Sequence, residues 1–96
     1  MPTHEEHERF LREFRRLTPE QQRHFKEALR WFVDDLGSGA FRPALRVKRV
    51  VSHPGVWELS WDADGRATFQ YSAAEVPGER HIVWRRIGTH DIFRDP

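Results

Sequence analysis

Four basic residues, Arg42, Arg46, Lys48 and Arg49, stand in residues 42–49 with no acid among them. A local patch of this kind can attract a polyanion even when the whole chain is near neutral. A strand edge blunted by charge accounts for the same residues equally well. Histidine is the other residue type that does chemistry at neutral pH. His90 follows Gly88-Thr89, a turn position where an imidazole is more often structural or solvent-facing than catalytic. His4 and His7 are three apart on one helical face and resemble a weak metal pair, yet no third ligand stands nearby. No metal site is expected from them. His24, His53 and His81 have no companion constellation. Cysteine is absent, which removes disulfides, thiolate metal sites and a thiol nucleophile.

The 96 residues carry a net charge of +1, too small to announce a nucleic-acid binder by itself. Residues 1–36 hold seven basic and eight acidic side chains, and residues 37–96 hold nine basic and seven acidic. The sums are −1 and +2. Residues 1–96 are expected to form a single domain, in which a chain of this size buries roughly two-thirds of its unfolded surface. Phe10, Phe14, Phe25, Phe32, Phe69, Tyr71 and four tryptophans (Trp31, Trp57, Trp61, Trp84) supply bulky packing material. The charged N-terminal region has no apolar run, so neither a signal peptide nor a membrane span is expected. A cytoplasmic location suits that composition.

These groups need elements to hold them. Thr3 is suited to cap a first helix running through Phe10, Leu11, Phe14 and Leu17, which share one face at helical spacing. Thr18-Pro19-Glu20-Gln21 is a fresh start: Thr18 an N-cap, Pro19 the first helical position, and Gln21 completing a capping box. The second helix is predicted to about Leu36, with Phe25, Ala28, Leu29, Phe32, Val33 and Leu36 as its apolar stripe and Gly37 and Gly39 ending it. Trp31 lies off that stripe, as a surface residue or an anchor for a partner chain. The short link makes residues 1–36 a helical hairpin.

From Leu45 the period changes to two. Leu45–Val51 is predicted as a strand ending at the turn residues Ser52-His53-Pro54-Gly55. In the next strand, Trp57, Leu59 and Trp61 alternate with Val56, Glu58 and Ser60. Ala63-Asp64-Gly65 signals a hairpin. Ala67, Phe69 and Tyr71 then alternate with Thr68, Gln70 and Ser72. A polar loop through Pro77-Gly78-Glu79 precedes a last strand from His81 to Ile87, whose faces the pattern does not assign. The expected fold is α+β: the hairpin laid on an antiparallel sheet of three to four strands over residues 45–93. The aromatic sheet face should meet the helical stripe, because each is too apolar to face water alone. The face bearing Glu58, Ser60, Thr68, Gln70 and Ser72 is left polar, either simply solvated or the floor of a shallow groove.

Several of these features together resemble a known family. Leu17, Glu20 and Phe25 in the helical hairpin are followed by Gly55-Val56-Trp57-Glu58-Leu59, a hairpin into Arg66, and Arg85-Arg86-Ile87-Gly88-Thr89-His90-Asp91-Ile92-Phe93. This order is similar to the RelE/ParE superfamily of bacterial toxin–antitoxin toxins, in particular its HigB- and YafQ-related branch, over about residues 10–96. The helical part is generic; the Trp-Glu-Leu strand and the Ile-Gly-Thr-His segment are more specific. Members usually open with a short strand before the first helix. Here that strand is either missing or reduced to Met1–Thr3.

The resemblance implies an endoribonuclease that enters the ribosomal A site and cuts messenger RNA, held silent by a cognate antitoxin; ParE-like relatives poison DNA gyrase instead. It implies no cofactor and no membrane partner. Metal-free RNA cleavage must take a proton from the 2′-hydroxyl, give one to the 5′-oxygen and match the added charge on phosphorus. An imidazole, titrating near ~6.5, suits either proton transfer, and the resemblance gives that task to His90. It sets Arg66 on the phosphate, Glu58 as a carboxylate base, and Phe93 as a platform for an unstacked base. Arg85 and Arg86 are expected to bring at least one guanidinium to the same face, with the 42–49 bases as further RNA contacts. The family's paired lysines are replaced here by Glu58 and Ser60. That departure is compatible with catalysis by histidine, arginine and glutamate, and also with a toxin fold that binds without cutting.

Overall fold

A computed structural model describes residues 3–72 and 81–96. Two helices lie against a five-stranded mixed sheet. The elements run β1 (Thr3–Glu6), α1 (Glu8–Arg16), α2 (Pro19–Ser38), a 3₁₀ turn (Pro43–Leu45), β2 (Lys48–Arg49), β3 (Trp57–Ser60), β4 (Gly65–Ser72), β5 (His81–Thr89) and a second 3₁₀ turn (His90–Arg94). The strand order is β1-β5-β4-β3-β2, with β1 parallel to β5 and the other pairs antiparallel.

The first correction to the sequence reading is β1. Thr3 does not cap a helix; it pairs with His81, and the strand continues to Glu6 opposite Trp84. The His7 N–H then donates to the Trp84 carbonyl at 2.9 Å, and α1 starts at Glu8 with His7 as its N-cap. Open ladder groups on the edge of β5 outweigh the weak helical preference of so short a polar segment. The opening strand of the resembled family is therefore present, and the sheet has five strands rather than three or four.

The start of α2 follows the sequence closely. Thr18 Oγ1 accepts from the Gln21 N–H at 3.1 Å and Gln21 Oε1 accepts from the Thr18 N–H at 2.9 Å. The helix runs past Leu36 and takes in Gly37. It stops at Gly39, whose φ of 79° is left-handed and whose N–H donates to the Asp35 carbonyl. Phe25, Ala28, Phe32 and Leu36 are buried as expected, but Val33 is exposed. The strand predicted over Leu45–Val51 shrinks to Lys48–Arg49, because Pro43 starts a 3₁₀ turn and Arg46 (φ 49°) ends it in the left-handed region.

Between helices and sheet sits an aromatic core. Phe32 stacks on Phe41 and meets Phe69 and Trp84; Phe25 meets Phe10, Phe14, Trp61 and Trp84. Leu59, Trp61, Ala67 and Phe69 supply the sheet side, as their alternation predicts. The opposite face is not simply solvated. Glu58, Ser60 and Thr68 are buried there. Thr68 Oγ1 donates to the Pro96 main-chain oxygen at 3.1 Å, and Pro96 is itself buried. The predicted loop at Pro77-Gly78-Glu79 lies outside the described residues.

One polar clamp ties the end of α2 to the following loop. Asp35 accepts three bonds from Arg42, all at 2.9 Å, from its Nε, its Nη2 and its backbone N–H. The guanidinium bonds, followed by the backbone N–H, hold the Asp35 carboxyl at about 2, below its ordinary 3.8. Because the folded value is the lower one, the clamp stabilises fully above the ordinary value and is lost as pH falls toward the folded one. The urea midpoint should therefore decline between about pH 4 and pH 2, and Asp35→Asn should flatten that part of the profile. An unchanged acid limb in Asp35→Asn would dismiss the clamp as its source.

Candidate functional site

The polar face converges at one end of the β3–β4–β5 ladder. Ser60 lies opposite Arg66, Arg66 opposite Gly88, and Gly65 opposite Thr89. His90 follows Thr89 directly and opens the second 3₁₀ turn at the same end of the sheet. Its exposed ring meets Phe93 edge to face at 5.0 Å. Glu58 shares the Arg66 face, opposite Thr68 on one side and Lys48 on the other. Arg66 and His90 thus lie at the same end of the sheet, with Glu58 on the Arg66 face two positions further along β3, and no direct bond joins the three among the described residues.

The Arg66 guanidinium curls over its own hairpin. Its Nη1 donates to the Gly65 carbonyl at 2.9 Å and, less closely, to those of Asp62 and Ala63. It has no carboxylate partner among the described residues, and Nε and Nη2 remain available. Glu58 is buried and reaches Lys48 Nζ at 3.8 Å. The close approach at Gly65 holds this end in shape: a Cβ there would sit 2.5 Å from the Trp61 ring, so only glycine lets the hairpin close over the indole.

Arg85 and Arg86 both reach the polar side, which strict alternation forbids. A bulge explains this. Thr68 pairs with Arg86 while Phe69 pairs with Trp84, leaving Arg85 as the extra residue, and a bulge lets two successive side chains turn the same way. Both are engaged within the chain. Arg85 donates to Gln70 Oε1 at 2.7 Å and to the Pro96 oxygen at 3.1 Å. Arg86 makes a two-pronged bond with Glu13 of α1, Nε to Oε1 being 3.1 Å, and donates to the Asp95 oxygen at 3.0 Å. Glu13 keeps the Arg86 guanidinium charged above its ordinary range.

The 42–49 bases do not form one patch. Arg42 is held by Asp35 and lies over the Trp31 ring at 5.1 Å. Lys48 and Arg49 flank the edge of β2, Arg49 over Trp57 at 5.2 Å. Arg46, whose backbone is left-handed, lines a separate pocket with Trp31 and Arg66. Sequence reasoning places Thr68 and Gln70 on the polar face but gives them no contact, and it does not connect Glu13 and Pro96 with the site at all. Thr68 and Gln70 carried a signal in their alternation with Phe69. The roles of Glu13 and Pro96 depend on contacts across the whole chain and carried none. Among the described residues no group of three or more metal-ligating side chains gathers, and no helix is long and apolar enough to cross a membrane.

No protein-family model matches the chain, and no curated protein sequence matches it significantly. Solved structures match along nearly its full length. Against the RelB–RelE antitoxin–toxin complex of Methanococcus jannaschii the TM-score is 0.62 at 12% identity, covering 94% of each chain. Against YafQ of Escherichia coli BL21(DE3) it is 0.63 at 14% identity, covering 95% of this chain and 96% of the other. Against the E. coli DinJ–YafQ toxin–antitoxin complex it is 0.65 at 14% identity, covering 94% and 93%. At such identities it is the backbone that is shared: the chain adopts the fold of the RelE and YafQ toxins.

Proposed function

We propose that this chain is the toxin of a toxin–antitoxin pair, a metal-independent endoribonuclease that cuts messenger RNA at the A site of translating ribosomes in the cytoplasm. The observation that carries this reading is that Arg66 and the exposed His90, its ring against the half-buried Phe93, lie at one end of the polar sheet face that also bears Glu58. That set supplies a cation, a carboxylate, an imidazole and a stacking surface, which are the parts RNA cleavage needs. The 2′-oxygen bonds to phosphorus as a base takes its proton; the P–O5′ bond breaks as an acid protonates the 5′-oxygen. Arg66, with Nε and Nη2 open, would bind the phosphoryl oxygens. The toxin fold, found in neighbours described as complexes of RelE with RelB and of YafQ with DinJ, supports an antitoxin as the protein partner.

The test is cleavage itself. Purified protein added to a cell-free translation system should produce discrete 3′ ends on the message, mapped by primer extension. No cut at any dose would end the enzymatic reading.

A second reading is a toxin-fold protein that binds without cutting, gyrase-directed or decayed. Its support is that Arg85 and Arg86 are engaged by Gln70, Glu13 and residues 95–96, which leaves the face few cations for a transition state. It expects intact messages, and a DNA supercoiling assay separates a gyrase poison from an inert relative.

A further inference from the structure

Six of the candidate basic side chains already have partners: Arg42 with Asp35, Lys48 with Glu58, Arg49 over Trp57, Arg85 with Gln70, Arg86 with Glu13, and Arg66 only with carbonyls of its own turn. The Arg46 side chain makes no hydrogen bond or ion pair among the described residues, its backbone N–H alone donating to the Pro43 carbonyl at 3.0 Å. Arg46 and Arg66, neither of which has a carboxylate partner among the described residues, line the same pocket. Its volume is about 280 Å³, and Trp31, Ser60, Trp61 and Asp62 complete the wall.

Three features distinguish this pocket from an ordinary crevice. Asp62, its acid, is turned to other partners: one oxygen accepts from the Ala63 N–H at 2.9 Å and the other lies 3.5 Å from His24 Nδ1. Trp61, part of the wall, buries its indole N–H with no acceptor among the described residues, and buried donors are nearly always satisfied. Arg46 holds a left-handed backbone, φ 49° and ψ 43°, at a position glycine would occupy with less strain. Strain of this kind persists where the residue's side chain has a task.

We infer that this pocket is a nucleotide subsite, taking a phosphate between Arg46 and Arg66 and its base against the Trp31 wall. Guanidiniums match phosphate oxygens in a planar fork, and aromatic faces bind any base without reading it. The ligand chemistry is a nucleoside 5′-phosphate, free or as one unit of single-stranded RNA. The inference deepens the nuclease reading by adding a subsite to the Arg66 end of the face, and it rests on that reading only for the RNA source.

The four tryptophans give a local readout. In a ¹⁵N–¹H spectrum of the full chain, titration with adenosine 5′-monophosphate should move the indole signals of Trp31 and Trp61 and leave those of Trp57 and Trp84. Arg46→Gln should weaken binding roughly tenfold or more, and lower the salt slope of pentanucleotide RNA binding by about one. Adenosine without phosphate should bind more weakly than the monophosphate. Tighter binding of the RNA pentamer than of the monophosphate identifies RNA as the source; equal binding identifies a free nucleotide. Adenosine binding as well as its monophosphate, unchanged affinity in Arg46→Gln, or shifts confined to Trp57 and Trp84 would each overturn the subsite. The two readings fail separately: nucleotide binding lost in Arg46→Gln with no message ever cut retains the pocket and removes the nuclease, whereas cleavage without Trp31 and Trp61 shifts does the reverse.

Discussion

Phe32→Ala is expected to cost the fold about 3–5 kcal/mol, a large share of the roughly 5–15 kcal/mol that holds a domain together. Phe32 is 1% exposed and joins three parts of the chain. It stacks on Phe41 at 5.2 Å and 9°, beyond the end of α2; it meets Phe69 of β4 edge-on at 5.0 Å and Trp84 of β5 at 5.4 Å. Each aromatic pair adds about 0.5–1.5 kcal/mol to simple burial, and alanine would leave a cavity whose rigid walls collapse only partly. Val33, the next residue on the same helix, is 38% exposed, so Val33→Ala should stay within about 0.5 kcal/mol. The urea midpoints of the two variants make the comparison. A loss below ~1.5 kcal/mol for Phe32→Ala would show that this core repacks freely and that the aromatic cluster does not fix the layers.

The contrast between Phe32 and Val33 also shows where sequence reasoning reaches and where it stops. Helical spacing placed both on one apolar stripe, and only contacts across the molecule separate the side that meets the sheet from its exposed margin. The Thr18–Gln21 capping box was legible because both partners lie within one turn. The alternation of Leu59 and Trp61, and of Ala67 and Phe69, was legible because the pleat has a period of two. β1 was not, since its stability comes from β5, nearly the whole chain away. The faces of β5 resisted assignment for a local reason: the extra residue at Arg85 shifts the alternation midway. The polar face was read correctly as polar but not as covered, because Pro96 and Thr68 find each other only after folding.

The same distinction bears on the candidate site. Arg66, Glu58 and His90 were chosen by resemblance, and the register gives that choice a geometry: Arg66 opposite Gly88, and His90 just past the Gly65–Thr89 pair. What no spacing could show is which cations are engaged elsewhere. Arg42 and Arg86 stand in the sequence as free charges, but Asp35 and Glu13 answer them in the fold. The number of basic residues therefore overstates the charge on offer to RNA, and it shifts weight from the arginines to proton transfer.

On that reasoning His90→Ala should lower single-turnover cleavage of ribosome-bound message by about 10²–10⁴, equivalent to about 3–5 kcal/mol on the barrier. Stability should stay within about 0.5 kcal/mol, since the ring is exposed and meets Phe93 edge to face. His90→Gln separates the two roles the ring could play. Glutamine can hydrogen-bond in the same place but cannot relay a proton near neutral pH, so it should be as slow as alanine if His90 is the acid or base. Recovery of most activity in His90→Gln would mean the ring only orients its neighbours. Loss of one limb of the pH–rate profile should accompany the slow variants, a change that a displaced Phe93 would not produce. Arg66→Ala should also be slow, and the double variant should be little slower than the worse single one, because groups that act together on one transition state are not additive. Wild-type rates in His90→Ala would leave the acid–base work to Glu58, which is buried beside Lys48 and poorly placed to exchange protons with water.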